Sequence, residues 1–368
     1  MITNSKNINS QSTMQTELNK NVVNHKPIKP IDYNNLENKG ISKMNYYLKK
    51  NWTQFYEYYE LLEHIGSGST GEVYKGKTKN PRNNQFYSFK FCLNNHRKNK
   101  HNEVINQKNL HHSNIIQILA FYKINETDFF FISELGNYGD LNNFMRKYVK
   151  KPILSETFVN YFTKPILEAL YHMHKFKLVH MDIKKGNVVL DSEINPKLID
   201  FSSTISFAKN KPDDKIKLPL IGTGRYMAPE ILNQKEIEVK YCEKIDIYSL
   251  GVTLYNLAFS SYPFNLNEVK GDDYKEIKEK VNNENLTFPA DFEVSEKFKN
   301  FLRNVLEKDY KKRYNIKEAL EDPWIKGWDI IDEEREIVGI EENFQNFFVK
   351  LDNNIPKFNK YINNSNSC

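Results

Sequence analysis

Between residues 58 and 134 the chain alternates apolar and polar residues in short stretches separated by turn-forming residues. A period of two residues is typical of strands with one face buried, so this pattern predicts a β-sheet. One stretch near 101–110 instead has helical spacing and predicts a helix within the sheet region. The predicted strands are 58–66, 71–78, 85–92, 116–123 and 129–134.

Beyond the sheet the hydrophobic period becomes helical, and a long amphipathic helix is predicted over 158–176. Four apolar residues share its buried face: Phe162, Ile166, Leu170 and Met173. Pro165 lies early in this helix and predicts a kink, because proline lacks the backbone N–H that a helix interior needs. The remainder, to about residue 328, is predicted to be mostly helical.

The N-terminal region differs in composition from this central part. Residues 1–43 are rich in Asn, Lys, Ser and Gln and poor in bulky residues, which predicts a disordered extension. Residues 44–57 predict a short helical lead-in to the first strand. Its aromatic residues follow helical spacing: Trp52, Phe55, Tyr56 and, just beyond, Tyr59. This segment either clamps the sheet as a regulatory element or simply packs against it.

The C-terminal tail, residues 329–368, contains a stripe of apolar residues that predicts an amphipathic helix. The stripe consists of Phe344, Phe347, Phe348 and Leu351. Two roles fit such a stripe: docking onto the helical part of this chain, or binding a regulatory partner.

Composition narrows the classes of function. The chain of 368 residues is 39% hydrophobic and has a net charge of +6, with +5 in the first 50 residues and −4 in residues 329–368. This spread gives no dense basic patch, so we expect no nucleic-acid partner. No apolar stretch is long enough to predict a membrane span. Three cysteines without metal-ligand spacing predict a reducing compartment, the cytoplasm or alternatively the nucleus.

The run at 178–187, LVHMDIKKGN, is the most informative part of the chain. It places a carboxylate, a lysine and an amide close together, at Asp182, Lys184 and Asn187. A carboxylate can orient a hydroxyl nucleophile, a lysine can offset phosphate charge, and an amide oxygen can hold a magnesium ion. The run resembles the HRD-x-K-x-x-N motif of the eukaryotic protein kinase superfamily, serine/threonine branch, except that Met181 replaces the usual arginine.

Further motifs of that family follow in the right order over about residues 58–328. A glycine-rich loop, G-x-G-x-x-G-x-V, spans 66–73, and strand-like alternation follows it rather than the helix of a dinucleotide-binding fold. The other resemblances are to V-A-I-K at Lys90, D-F-G at Asp200 with Ser202 for glycine, A-P-E ending at Glu230, D-x-W-S-x-G from Asp246, and the arginine partner of A-P-E at Arg313.

The resemblance implies an α+β, bilobal protein kinase fold. A small β-rich lobe with one main helix would span about 58–135, and a larger, mostly α-helical lobe would span about 136–328. The resemblance also implies an ATP-dependent serine/threonine protein kinase that uses Mg²⁺, acts on protein substrates and is a monomer.

The resemblance assigns catalytic roles to five residues. Asp182 would orient the substrate hydroxyl, Lys184 would neutralise the γ-phosphate, and Thr223 would link the two. Lys90, paired with Glu103, would contact the α- and β-phosphates. Lys184 and Thr223 also favour serine/threonine over tyrosine specificity in this family.

The metal and nucleotide sites follow from the same resemblance. Asn187 and Asp200 would hold Mg²⁺, a hard cation that prefers oxygen donors. Asp140 would bond the ribose, cap the next helix, or do both. The nucleotide-binding residues would be Ile65, Gly66, Ser67, Gly68, Ser69, Thr70, Gly71, Glu72, Val73, Ser88, Lys90, Ser133, Glu134, Gly136, Asp140 and Val189.

Two other interpretations stay open from the sequence. Met181 and Ser202 depart from the family motifs, which favours a pseudokinase scaffold that binds partners with little catalysis. A small-molecule kinase of similar fold is the other interpretation. The A-P-E motif and the run from Asp246 argue against it, because in the family they serve protein-substrate binding and the stability of the large lobe.

We predict activity that does not depend on phosphorylation of the loop after Ser202. In the family, the arginine before the catalytic aspartate helps to bind the loop phosphate, and Met181 cannot pair with one. Ser203, Thr204 and Ser206 can accept phosphate but lack this clamp. Phosphatase-treated protein should therefore keep most of its transfer activity. A loss of more than about tenfold would contradict the prediction.

Overall fold

A computed structural model describes residues 39–51, 53–68, 71–80, 85–93, 102–125, 127–149 and 154–327. Residues 1–38, the predicted site residues Ser69 and Thr70, and the predicted C-terminal amphipathic helix lie outside the described residues. Within them the predicted α+β, two-lobed fold is confirmed, because a five-stranded antiparallel sheet precedes a helical region.

The small lobe is built on one antiparallel sheet. Its strands are β1 (Tyr59–Gly68), β2 (Gly71–Thr78), β3 (Phe86–Cys92), β4 (Ile118–Lys123) and β5 (Phe129–Ser133). They are arranged in the order β1-β2-β3-β5-β4, so β5 is flanked by β3 and β4. The alternating pattern therefore placed all five strands close to their observed positions.

Both faces of this sheet are covered by helices. The helices are α1 (Lys39–Asn51), α2 (Phe55–Tyr58) and α3 (Asn102–Gln107). Every residue of β5 is buried, which explains its unbroken apolar sequence. Phe129 and Phe131 pack with Val104 of α3. Phe130 and Ile132 belong to the cluster on the opposite face, with α1 and α2.

The lead-in helices complete the core on that opposite face. Met44 and Leu48 of α1 are buried, and Phe55 of α2 has 0% of its surface exposed. The ring of Phe55 packs at centroid distances of 5.7 to 6.0 Å against three rings of the sheet: Phe89, Phe91 and Phe130. The segment is thus part of the small-lobe core.

The lead-in differs in extent from the single short helix predicted over 44–57. It consists of two helices, and α1 already begins at Lys39. Met44 and Leu48, one helical turn apart, form the buried face of α1. The prediction followed the aromatic residues further along the chain and so began the lead-in at residue 44 instead of at Lys39.

The large lobe is mainly helical. Its helices are α4 (Leu141–Tyr148), α5 (Glu156–Lys175), α6 (Pro229–Leu232), α7 (Lys244–Phe259), α8 (Tyr274–Asn283), α9 (Glu296–Val305), α10 (Ile316–Glu321) and α11 (Pro323–Lys326). The helix α5 continues through Pro165. Every residue of α7 is buried, so this helix forms the centre of the lobe. Among the described helices, none combines the length and apolar character that crossing a bilayer demands.

Three pairs of short antiparallel strands complete the large lobe. They are β6 (Leu178–Val179) with β9 (Ile205–Ser206), β7 (Val188–Leu190) with β8 (Pro196–Leu198), and β10 (Lys215–Lys217) with β11 (Glu236–Glu238). The first two pairs flank residues 180–187 and 199–204, the segments that carry the motifs around Asp182 and Asp200. The sheet pairing therefore brings these two segments side by side.

A buried ion pair joins the A-P-E segment to the far side of the large lobe. Two guanidinium nitrogens of Arg313 lie 2.7 and 2.9 Å from the two carboxylate oxygens of Glu230. The two side chains are 0% and 1% exposed. The pairing that the resemblance implies is therefore present, in the two-pronged geometry that arginine and carboxylate favour.

Replacing Phe55 by alanine should destabilise the protein, because truncating a buried aromatic ring costs about 3–5 kcal/mol. Tyr58→Ala is the matched control, since Tyr58 lies in the same helix and is 60% exposed. The control should change the free energy of unfolding by less than about 0.5 kcal/mol. Urea unfolding followed by circular dichroism measures both. Equal effects of the two variants would show that α2 contributes no core contact.

Candidate active site

The loop between β6 and β7 carries Asp182 and is anchored by one buried carboxylate. Asp246, in the first turn of α7, accepts the backbone N–H groups of His180 and Met181, each at 2.9 Å. Nε2 of His174 donates to the same carboxylate at 2.9 Å. Met181 has a φ of 72°, a left-handed conformation that is unfavourable for a side-chain-bearing residue. The bonds to Asp246 hold the chain in this turn.

Three of the predicted catalytic residues form one hydrogen-bonded triangle. Nζ of Lys184 lies 2.7 Å from Oδ2 of Asp182 and 2.7 Å from Oγ1 of Thr223. Thr223 donates to Oδ1 of Asp182 from its hydroxyl at 2.9 Å and from its amide at 3.0 Å. Both oxygens of the Asp182 carboxylate are therefore held in place.

Glycine is required directly before Thr223. Gly222 has a φ of 104°, and a Cβ there would lie 2.6 Å from the carbonyl oxygen of Met181. A side chain would collide with the backbone of the loop that carries Asp182. Because Gly222 has no side chain, the segment passes close enough for Thr223 to reach Asp182.

Asn187 also contacts Asp182. Its Nδ2 donates to the backbone oxygen of Asp182 at 2.7 Å and to Oδ2 at 3.0 Å. The donor side of the amide thus faces Asp182, and its acceptor atom Oδ1 faces away. An amide oxygen presented in this way, together with the carboxylate of Asp200, is a donor set that suits a hard cation such as Mg²⁺.

Lys90 lies at the centre of a charge network between the lobes. Its Nζ is 2.7 and 2.9 Å from the carboxylate oxygens of Glu103 and 3.2 Å from Oδ1 of Asp200. Burial opposes the charged form of Lys90, but Glu103 and then Asp200 outweigh it and raise the pKa of the ammonium. Lys90 is therefore held as a cation next to the predicted metal ligand.

Asp200 is held ionised by its neighbours. Burial alone would raise the pKa of its carboxyl, but the charge of Lys90 and a hydrogen bond from Ser202 outweigh it, and the pKa is lowered. Asp200 itself adopts a left-handed backbone, with a φ of 62°, at the start of the 3₁₀ turn Phe201–Ser203. Ser202, the departure from the family motif, thus contributes a hydrogen bond to the predicted metal ligand.

The residues predicted to surround adenine come together at the junction of the lobes. Ser88 of β3 and Ser133 of β5 are direct cross-strand partners. Ser133 is buried, and its hydroxyl donates to the carbonyl oxygen of Glu134 at 3.2 Å. A Cβ at Gly136 would lie 2.6 Å from Cβ of Val189, so only glycine lets the chain at this position approach Val189 so closely.

Asp140 and Glu134 have protein partners in the structure. Asp140 accepts the N–H groups of Asn142 at 2.8 Å and Asn143 at 3.0 Å, so it caps α4. Its contact with a ribose stays a prediction. The side chain of Glu134 pairs with Lys197 at 3.0 Å. Lys197 was not singled out from the sequence, because a lysine 63 residues away gives no local signal.

The two strands of the glycine-rich loop are joined by polar side chains. Ser67 lies opposite Glu72 in the strand pairing, and its hydroxyl donates to Glu72 at 2.6 Å. Nε2 of His64 lies 2.6 Å from the same carboxylate oxygen. The pairing is irregular between His64 and Gly66, at the position of Ile65. Ser67 and Glu72, both predicted to bind nucleotide, thus bond to each other across the loop.

His174 is the functional residue that sequence reasoning missed. The sequence alone assigns no role to His174, which follows His172 by two residues in the predicted helix. His174 instead supports Asp246, which lies 72 residues further along the chain. Its position near the end of a predicted amphipathic helix gave no indication of this contact.

Comparison with known families and proteins points in the same direction as the geometry. The sequence model of the family described as protein kinase domain matches residues 59–325. The chain is 30% identical over 314 residues to Death-associated protein kinase 2 of Mus musculus, covering 80% of this chain and 79% of that protein. It is 30% identical over 281 residues to Myosin light chain kinase A of Dictyostelium discoideum, covering 74% and 90%.

A third similar protein is longer than this chain. The Cell cycle serine/threonine-protein kinase CDC5/MSD2 of Saccharomyces cerevisiae is 29% identical over 231 residues, which cover 63% of this chain and 31% of that protein. The chain therefore spans about a third of the yeast relative, and the similarity extends to that part alone.

Ser133 should leave room behind the predicted adenine site, because serine there faces another serine across the strands. An adenine analogue that carries an added aryl group should bind the parent more tightly than Ser133→Met. Burying such a group is worth about 1.5–3 kcal/mol, roughly ten- to hundredfold in affinity. Calorimetry measures both affinities, with ATP as the control ligand that should bind both proteins alike. Equal binding of the analogue would show that neighbouring side chains fill the space.

Proposed function

The chain belongs to the protein kinase family, and from this premise we propose that it is an active serine/threonine kinase. It would transfer the γ-phosphoryl group of ATP to serine or threonine hydroxyls of protein substrates. The observation that carries the proposal is the hydrogen-bonded triangle of Asp182, Lys184 and Thr223 beside the network of Lys90.

The reaction assigned to this site is a direct transfer. A bond forms between the substrate hydroxyl oxygen and the γ-phosphorus, and the bond from that phosphorus to the β–γ bridging oxygen breaks, so that ADP leaves. Asp182 orients the hydroxyl and accepts its proton. Its carboxylate is suited to this because Lys184, Thr223 and Asn187 fix both of its oxygens.

Lys184 and Thr223 support serine/threonine specificity. Both belong to the triangle around Asp182, and in the family they occur in the serine/threonine branch. Lys184 brings a positive charge to the place where the γ-phosphate would lie during transfer, and it needs no rearrangement because Thr223 already bonds it.

Asn187 and Asp200 would hold a divalent metal, for which we propose Mg²⁺. When bound, such an ion offsets the charge of the β- and γ-phosphates. Asp200 is ready to serve as a ligand, because its neighbours lower the pKa of its carboxyl. Members of this family use ATP together with a divalent metal, and the choice of Mg²⁺ rests on the oxygen donors present.

Lys90 and Glu103 support ATP binding on the side of the small lobe. Glu103 of α3 holds the ammonium of Lys90 in a buried site, in the pairing that active members of the family require. The glycine-rich loop and the segment from Ser133 to Gly136 would enclose the rest of the nucleotide.

The departures from the family motifs do not remove a catalytic group. Met181 is buried, and its backbone N–H bonds to Asp246, so the loop keeps its course without arginine. The Ser202 side chain helps to lower the pKa of the Asp200 carboxyl and so keeps it ionised. These contacts favour catalysis over the scaffold interpretation.

We also propose the cytoplasm as the working compartment of a monomeric enzyme. The cysteines that the structure describes, Cys92 and Cys242, are both free and buried. Burial raises the pKa of each thiol to about 12, so both are unreactive at neutral pH. Reduced thiols of this kind are compatible with a reducing compartment.

Asp182→Asn should abolish transfer, because an amide can neither accept the hydroxyl proton nor keep its bond to Lys184 as an ion pair. The rate should fall by at least about a hundredfold. Labelled ATP and a mixture of serine- and threonine-containing peptides measure the rate. Asp291→Asn is the matched control, an exposed aspartate on the surface of the large lobe.

ATP affinity, measured by calorimetry, shows whether the Asp182→Asn protein keeps its nucleotide site. A parent that binds ATP without any transfer would favour the pseudokinase scaffold instead. Transfer to tyrosine peptides alone would contradict the assigned specificity.

A further inference from the structure

The segment between Asp200 and Glu230 is without the arginine that, in the family, anchors it through a bound phosphate, because Met181 stands at that position. Residues 207–222 contain no serine, threonine or tyrosine. Of the four hydroxyl residues between Asp200 and Phe207, Thr204 is buried and Ser202 belongs to the motif around Asp200. Met181, buried beside Asp246, offers no positive charge to a phosphate. In the structure this segment nevertheless has a defined conformation, fixed by contacts with the large lobe.

A pair of strands holds the middle of the segment against the large lobe. In β10 and β11, Lys215 lies opposite Glu238 and Lys217 lies opposite Glu236, so that opposite charges face each other. Between them Ile216 lies opposite Ile237, which has only 1% of its surface exposed. The pairing thus has an apolar centre with charged residues on either side.

Further bonds extend this pairing at one end. The backbone N–H of Lys240 donates to the carbonyl of Pro212 at 2.9 Å, and that of Val239 donates to the carbonyl of Asp214 at 3.0 Å. Nζ of Lys240 lies 2.8 Å from the carboxylate of Asp213. This ion pair is exposed and contributes little, so the backbone bonds and the two isoleucines provide most of the attachment.

The attachment is close to the catalytic residues along the chain. Leu218, directly after β10, is buried, and its carbonyl accepts a bond from Nε2 of Gln234 at 3.4 Å. Five residues later Thr223 bonds Asp182 through both its amide and its hydroxyl. So short a connection limits how far Thr223 can move when β10 is held.

We propose that residues 212–217 and 236–240 form a latch that positions Thr223 on Asp182 without phosphorylation. The β10–β11 pairing and its backbone bonds do in this chain what a bound phosphate would otherwise do. Ile216, Ile237 and Lys240 are positioning residues, since they act on catalysis through Thr223. The effect on rate rests on the proposed function, whereas the attachment itself does not.

Three variants of the full chain test the latch by kinetics. Ile216→Asp puts a charge into its apolar centre, Ile216→Leu keeps that centre, and Lys235→Ala removes an exposed lysine beside β11. Ile216→Asp should lower kcat for a protein substrate by about tenfold or more, with the KM for ATP changed by less than about twofold. The other two variants should match the parent. A kcat of Ile216→Asp equal to that of the parent would overturn the proposal. So would a loss of kcat in Lys235→Ala as large as that in Ile216→Asp.

Hydrogen exchange tests the attachment without any reference to activity. Amides of 213–217 and 236–240 should be protected in phosphatase-treated parent protein and should exchange at least about tenfold faster in Ile216→Asp. Amides of α7 should stay protected in both, which shows that the large lobe remains folded. Unprotected latch amides in the parent would overturn the latch alone. Protected latch amides in a parent without transfer activity would contradict the proposed function alone.

Discussion

The carboxylate of Asp246 is the contact on which the site depends most. It lies in the fully buried helix α7 and accepts hydrogen bonds from the backbone amides of His180 and Met181 and from the side chain of His174. A buried carboxylate is stable only when such donors surround it. In return it fixes the left-handed turn at Met181, and with it the direction in which Asp182 leaves the loop. The position of the Asp182 carboxylate is thereby set by the centre of the large lobe.

A second group of contacts connects the two lobes. Lys90 extends from the sheet of the small lobe to Asp200 in the large lobe, and α3 supplies Glu103 to the same ammonium. The same helix also reaches the segment after Asp200, because Nδ2 of Asn106 donates to the carbonyl of Thr204 at 3.2 Å. A movement of α3 would therefore disturb both the cation and the predicted metal ligand. The charge network around Lys90 and the path of the segment after Asp200 therefore both depend on the position of α3.

Sequence reasoning found the strands of the small lobe and proposed the side chains of the candidate site, because both leave short local patterns in the sequence. The spacing of Asp182, Lys184 and Asn187 is local, and so is the alternation in β2. The contact between His174 and Asp246 is not local, and neither is the pairing of β10 with β11. Three-residue strands give no periodicity to detect, and a buried histidine looks like any other before its partner is known. The start of α1 at Lys39 was missed because the aromatic residues that indicated the lead-in lie further along the chain.

The family model begins at residue 59, yet the core of the small lobe includes Met44, Leu48 and Phe55. This has a consequence for biosynthesis. The lead-in helices leave the ribosome before any strand exists, and the aromatic cluster that they cover includes rings of both β3 and β5, so it is complete only after β5 has been made. Phe55 can meet Phe89 and Phe91 once β3 has been made but meets Phe130 only after β5, so the helices that close this core are synthesised first and complete their contacts only then.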